Sequence, residues 1–190
     1  MTARSWEEMR AQIAAQLLRQ TGHDVEWWNA AIAEQTGLAD EGALRAWLAG
    51  QAVTGYPQGI LVWERFGYPE FLLASADELI EAQYADRQEL RPILDALLAL
   101  ASSLGQVEVH ARKTYASLYT PRRAFAAVRP TTKTRVDLGL RIDGVEPAGR
   151  LLDGSRTAGG SVNLRLPLAS VDDIDDEATG WLSRAYQANL

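Results

Sequence analysis

The sequence predicts an α+β protein: a small helical N-terminal bundle followed by an antiparallel sheet covered on one face by helices. Three observations predict it. Up to about residue 104 the apolar residues recur at helical spacing between polar caps, whereas from Val107 they alternate with polar ones. The clearest alternation ends the stretch Thr114 to Ile142. There Val136, Leu138, Leu140 and Ile142 point one way and Arg135, Asp137, Gly139 and Arg141 the other, as in a strand with one buried and one polar face. Helical spacing then returns in the tail, where Ile174, Ala178, Trp181, Leu182 and Tyr186 follow an acidic start suited to a helix N-terminus.

Taken in order, Ser5 and Glu8 form a capping box that opens a helix running to about Gln20, with Trp6, Met9, Ile13, Leu17 and Leu18 on one face. Thr21-Gly22 stops it. Asp24 caps a second helix carrying Trp27, Trp28 and Ile32 and ending near Gly37, and Asp40 caps a third with Leu44, Trp47 and Leu48. Gly55 to Gly59 reads as a turn into a fourth helix, Ile60 to Phe66, which contains Trp63. Residues 1–67 thus form a tryptophan-rich helical domain, and the stretch Gly67 to Ser75 is the candidate linker.

Residues 76–190 form the sheet domain. The capping box Ser75/Glu78 starts a helix through Tyr84, and Asp86 to Leu104 follows as the longest helix, interrupted or kinked near Pro92. Its leucines cover more than half its circumference, which predicts burial across the sheet. Strands are expected at Val107 to Ala111, around Tyr115 to Tyr119, at Ala124 to Val128 and from Val136, with Pro121 and Pro130 at strand ends or turns. Asp143-Gly144 and Asp153-Gly154 read as turns, Thr157 to Ser161 as an exposed glycine-rich loop, and Val162 to Leu168 as the last strand.

Composition excludes several classes. No run of about eighteen apolar residues is present, so no membrane span is expected. The start MTARSWEEMR lacks the apolar segment of a signal peptide. Without cysteine there is no disulfide, thiol nucleophile or thiolate metal site, and a cytoplasmic protein is the simplest reading. His23 and His110 lie far apart, so neither a metal site nor a cofactor is expected. The net charge of -6 hides an asymmetry: residues 107–165 carry 11 basic against 5 acidic side chains, while residues 1–106 carry 7 against 15. Acidic flanks beside a basic block argue against nucleic acid as a partner.

Two sets of motifs resemble known families. T-G-H-D-V-E-W-W, W-L and T-G-Y-P-Q-G-I-L-V resemble a short helical domain of unknown function found in actinobacterial proteins. R-K-T-Y-A-S-L, A-F-A-A-V-R-P, T-K-T-R-V-D-L-G-L-R and W-L-S-R-A-Y resemble a second uncharacterised domain, often found beside predicted transport proteins. Together they cover nearly the whole chain and imply the same division into two domains. No activity follows from either.

The candidate site residues come from the basic block, where nine arginines outnumber two lysines. That bias favours oriented recognition of a carboxylate or phosphate over a diffuse positive coat. Arg135, Arg141 and Arg165 are expected to share the polar face of the sheet around Asp137, with Tyr115 or Tyr119 beside them and Arg112 and Lys113 nearby. Trp27 and Trp28 are about 100° apart on a helix, so one of them, Trp28, is a candidate to face a ligand or the other domain. Glu108 and His110, two apart on one strand, are the candidates for acid–base work. The leading expectation is binding of a small anionic ligand or a protein partner by the arginine-rich sheet face and the domain junction. The alternative is a small cofactor-independent enzyme of specialised metabolism acting on an aromatic amine. Catalysis and a homodimer are both left open by the residues.

Overall fold

The structure, a computed structural model, describes residues 6–190. The capping box expected at Ser5 and Glu8 therefore falls partly outside the described residues. The chain divides into two compact units, residues 6–74 and 75–190.

The first unit is helical: α1 Trp6–Thr21, α2 Val25–Ala33, α3 Glu41–Gly50, α4 Gly55–Phe66 and the single turn α5 Glu70–Leu73. Asp24 and Asp40 cap α2 and α3, each accepting a 2.8 Å bond from the amide three residues on. Leu17, Trp28, Ile32, Leu44, Leu48, Ile60, Leu61 and Val62 form the core. Glu64 ties α4 to α1, accepting from Arg10 at 2.6 Å and from Tyr68 at 2.5 Å. Three expectations need correcting. The second helix stops at Ala33, short of Gly37; Tyr56-Pro57 belong to the first turn of α4, where proline's missing N–H would have no partner anyway; and the candidate linker contains α5.

The second unit is an α+β sheet domain. It contains α6 Ala76–Tyr84, a short 3-10 turn Gln88–Leu90, α7 Arg91–Leu104, and strands β1 Glu108–Ala111, β2 Ala116–Tyr119, β3 Ala124–Thr132, β4 Arg135–Leu140, β5 Leu152–Asp153 and β6 Leu164–Leu168, closing with α8 Asp176–Ala188. The strands form one antiparallel sheet in the order β1-β2-β3-β4-β6-β5. Pro92 sits in the first turn of α7 and starts the helix rather than kinking it. One face of the sheet is covered by helices. Ile93, Leu94 and Leu97 of α7 and Ala178, Leu182 and Tyr186 of α8 pack with Leu118, Phe125, Val128, Val136, Leu138, Leu140 and Leu166. Burying each leucine, isoleucine, valine or phenylalanine among them contributes about 1.5–3 kcal/mol.

The opposite face holds the site. Register aligns His110, Ser117, Ala127, Gly139 and Arg165 in one row across five strands. The middle of this row is small, and the glycine-rich segment lies on it. Ala158 and Val162 pack with Tyr115 on Ala127, and Thr157 is buried too. A Cβ at Gly139 would stand 2.8 Å from Val162 Cγ2, so glycine is what lets the segment approach. The loop expected to be exposed is thus a partial cover for the second face. Asp153 belongs to the edge strand β5, and Gly154 packs on the backbone of Leu164, so this dipeptide is not a simple turn.

Candidate anion-binding site

The polar face of β4 splits into two places. At one, Asp137 is only 3% exposed, against the expectation of an open polar face. A buried carboxylate needs compensation, and three groups supply it. Thr131 Oγ1 donates to Oδ2 at 2.8 Å, Arg165 Nη1 donates to Oδ1 at 3.3 Å, and Arg135 Nε lies 3.0 Å from Oδ1 at an angle too poor for a hydrogen bond. Arg165 also donates through Nε to Asp153 O. Arg135 and Arg165 are therefore engaged by an internal carboxylate, which removes them from the expected ligand triad.

Arg141 is held elsewhere. Its backbone N–H donates to Phe125 O at 2.9 Å, and its side-chain Nε donates to Ser161 O at 2.7 Å. The guanidinium then lines a cleft of about 180 Å³ with Arg123, Asp143, Gly160, Val162 and Asn163. Arg123 comes from the turn between β2 and β3. Its Nη2 is 3.9 Å from Asp143 Oδ2, beyond hydrogen-bond range, and its Nε is buried with no partner among the described residues. An unmade bond to a buried donor costs about 1–3 kcal/mol. The positive charge here is thus incompletely answered by the protein.

Buried polar side chains fix both arginine-bearing segments. Thr120 Oγ1 accepts from the amides of Arg122 and Arg123, each at 3.2 Å, and lies 2.7 Å from Asn189 O as donor. Asn189 Nδ2 in turn donates to Arg141 O at 2.8 Å and Ala185 O at 2.7 Å. Asn163 holds the next residue: its Oδ1 accepts from Ile142 N and its Nδ2 donates to Ile142 O, both at 2.9 Å. Arg123, Thr120, Asn163 and Asn189 were not among the expected site residues. Their roles depend on partners up to 69 residues away, and no local spacing encodes those.

The other expected residues lie apart from this cleft. Glu108, His110, Tyr119 and Arg112 form a cluster on β1, β2 and the residue after β1. His110 Nε2 is 3.3 Å from Glu108 Oε2, its ring stacks on Tyr119 at 4.5 Å, and Arg112 Nη2 donates to Tyr119 Oη at 3.4 Å. His110 is only 7% exposed, and the Tyr119 ring is stacked on it. Tyr115 packs with the glycine-rich segment rather than among the arginines, and Lys113 is exposed in the bend between β1 and β2. Trp28 is in the helical core, its Nε1 donating to Thr21 Oγ1 at 3.0 Å, so it is not a ligand-facing ring. Its neighbour Trp27 is the outward one, 47% exposed and stacked on His23.

No group of three or more histidine, cysteine or acidic side chains suited to a metal occurs among the described residues. No helix among them is long and apolar enough to cross a membrane. In comparison with known proteins, no curated protein and no solved structure matches. Residues 80–189 match a family described as a domain of unknown function, DUF5655, and this span takes in nearly all of the sheet unit. The match covers more than half of the chain, which therefore belongs to the DUF5655 family.

Proposed function

We propose that this chain binds a small carboxylate- or phosphate-bearing ligand in the cleft between Arg123 and Arg141. One observation carries the proposal: Arg123 and Arg141 line the cleft, while Asp143, the one carboxylate among its described lining residues, is exposed and 3.9 Å from Arg123 Nη2, beyond hydrogen-bond range. Arg141 uses Nε on Ser161 O, and its terminal nitrogens have no partner among the described residues. That is the end of a guanidinium that forks around a carboxylate or phosphate. Tight backbone anchoring by Asn189 and Thr120 pre-orders the two arginines, which lowers the entropy lost on binding.

The test is a titration of the full chain with sodium phosphate and with sodium acetate at low ionic strength, followed by amide NMR shifts. Saturable shifts are expected at Arg123, Arg141 and Gly160. Arg141→Ala should weaken binding by about 1.5–3 kcal/mol, the scale of a charge-assisted hydrogen bond. Absence of saturable shifts, or undiminished binding in Arg141→Ala, would overturn the reading.

The alternative of acid–base catalysis in specialised metabolism rests on the Glu108–His110 pair. It is less well supported, because the imidazole is covered and neither residue lines the cleft. A cytoplasmic setting belongs to the same proposal. So does kinship of the helical unit with the uncharacterised helical domain of actinobacterial proteins, and of the sheet unit with domains found beside predicted transport proteins.

A further inference from the structure

Resting on the anion-binding reading, we infer that the ligand of the Arg123–Arg141 cleft is a compact zwitterion: a free α-amino acid, or a molecule that likewise joins one acid group to one ammonium group. The cleft's charged lining is two guanidinium groups and one carboxylate. Asp143 is 82% exposed on its side chain and stands 3.9 Å from Arg123 Nη2. It is near enough to repel an incoming acid group and too far to satisfy the arginine by a hydrogen bond. A plain anion gains from the two arginines but meets the like charge of Asp143. A zwitterion pairs with all three, its acid group on the guanidinium ends and its ammonium on Asp143.

Size points the same way. Sites for drug-sized ligands and cofactors run to roughly 300–1,000 Å³, whereas this cleft holds about 180 Å³. Among the described residues Gly160 and Val162 supply its non-polar lining, which leaves room for a short apolar side chain. The geometry is also held rigidly at the point where discrimination is needed. Asn163 clamps both backbone groups of Ile142, between Arg141 and Asp143, so the backbone positions that carry the positive and the negative group are set by the fold.

The experiment compares L-alanine with N-acetyl-L-alanine, which keeps the carboxylate and loses the ammonium, by calorimetry or NMR titration on the full chain. Sodium acetate and sodium phosphate serve as plain anions. L-alanine should bind about two- to fivefold more tightly than its acetylated form, the scale of one added surface-exposed ion pair. Asp143→Asn should abolish that preference and raise acetate affinity, because a like charge has been removed. Arg141→Ala should weaken every probe, with Arg141→Lys retaining part of the binding if folding is intact. If acetate and phosphate bind but alanine and acetylalanine bind equally, the zwitterion is wrong and the anion site stands. A preference for alanine that survives Asp143→Asn would also overturn it. If no probe binds, both readings fall together.

Discussion

Asn189 is wholly buried just after α8, and one amide group there joins the helix to the site. Replacing it with alanine leaves the carbonyls of Arg141 and Ala185 without their donor, while the backbone carbonyl that Thr120 contacts remains. Asn189→Ala should therefore cost about 1–3 kcal/mol of stability and broaden the amide signals of Arg141; urea unfolding and NMR check both. Asp137 makes a second case. Its removal strands two guanidiniums and the Thr131 hydroxyl, and a broken buried pair costs about 3–5 kcal/mol. Arg135 and Arg165 are 38% and 24% exposed, so water recovers part of that, and Asp137→Ala should cost about 2 kcal/mol in the same assay. Alternation placed Asp137 on the polar side correctly. It could not report burial, because the glycine-rich segment and the neighbouring strands that cover this side come from other parts of the chain.

At the scale of elements, the start of α8 has a pH signature. The Ala178 amide, bonded to the Asp175 carboxylate, and next the Arg150 guanidinium hold the Asp175 carboxyl below its ordinary value of 3.8. A carboxyl depressed in the folded state contributes stability that is fully present above the ordinary value and lost as the pH falls through the depressed one. Asp175→Ala should thus lower the melting temperature at neutral pH and flatten the acid side of the stability–pH profile below the ordinary carboxyl value of 3.8. The glycine-rich segment is the other element to probe. Gly139→Ala puts a methyl 2.8 Å from Val162 and 3.2 Å from Thr157, so the segment must lift from the sheet. Because Ser161 and Gly160 belong to that segment, phosphate affinity should drop several-fold while the helix-covered core stays folded, as shift perturbation and circular dichroism would show.

For the whole molecule, each unit has its own buried apolar set, one around Leu44 and Ile60, the other around Leu97 and Leu138. Residues 75–190 expressed alone should fold with sheet-rich circular dichroism and a cooperative melt; an unfolded fragment would show that the units depend on each other for stability. The 190-residue chain should give no gel shift with DNA or RNA at micromolar concentration and physiological salt, since acidic segments flank the basic block. By itself the sequence determined the α+β class, the helix caps at Asp24 and Asp40, the face that Val136, Leu138 and Leu140 bury, and the concentration of arginine in the sheet. These follow from local periodicity and from side chains bonding their own helix ends. Only the tertiary structure decided which arginines are spent and which remain. Arg165 meets Asp137 across 28 residues, and Asn189 reaches Arg141 across 48. Alternation sets the side of a strand on which a charge lies, but strand order, register and the covering segment choose its partner.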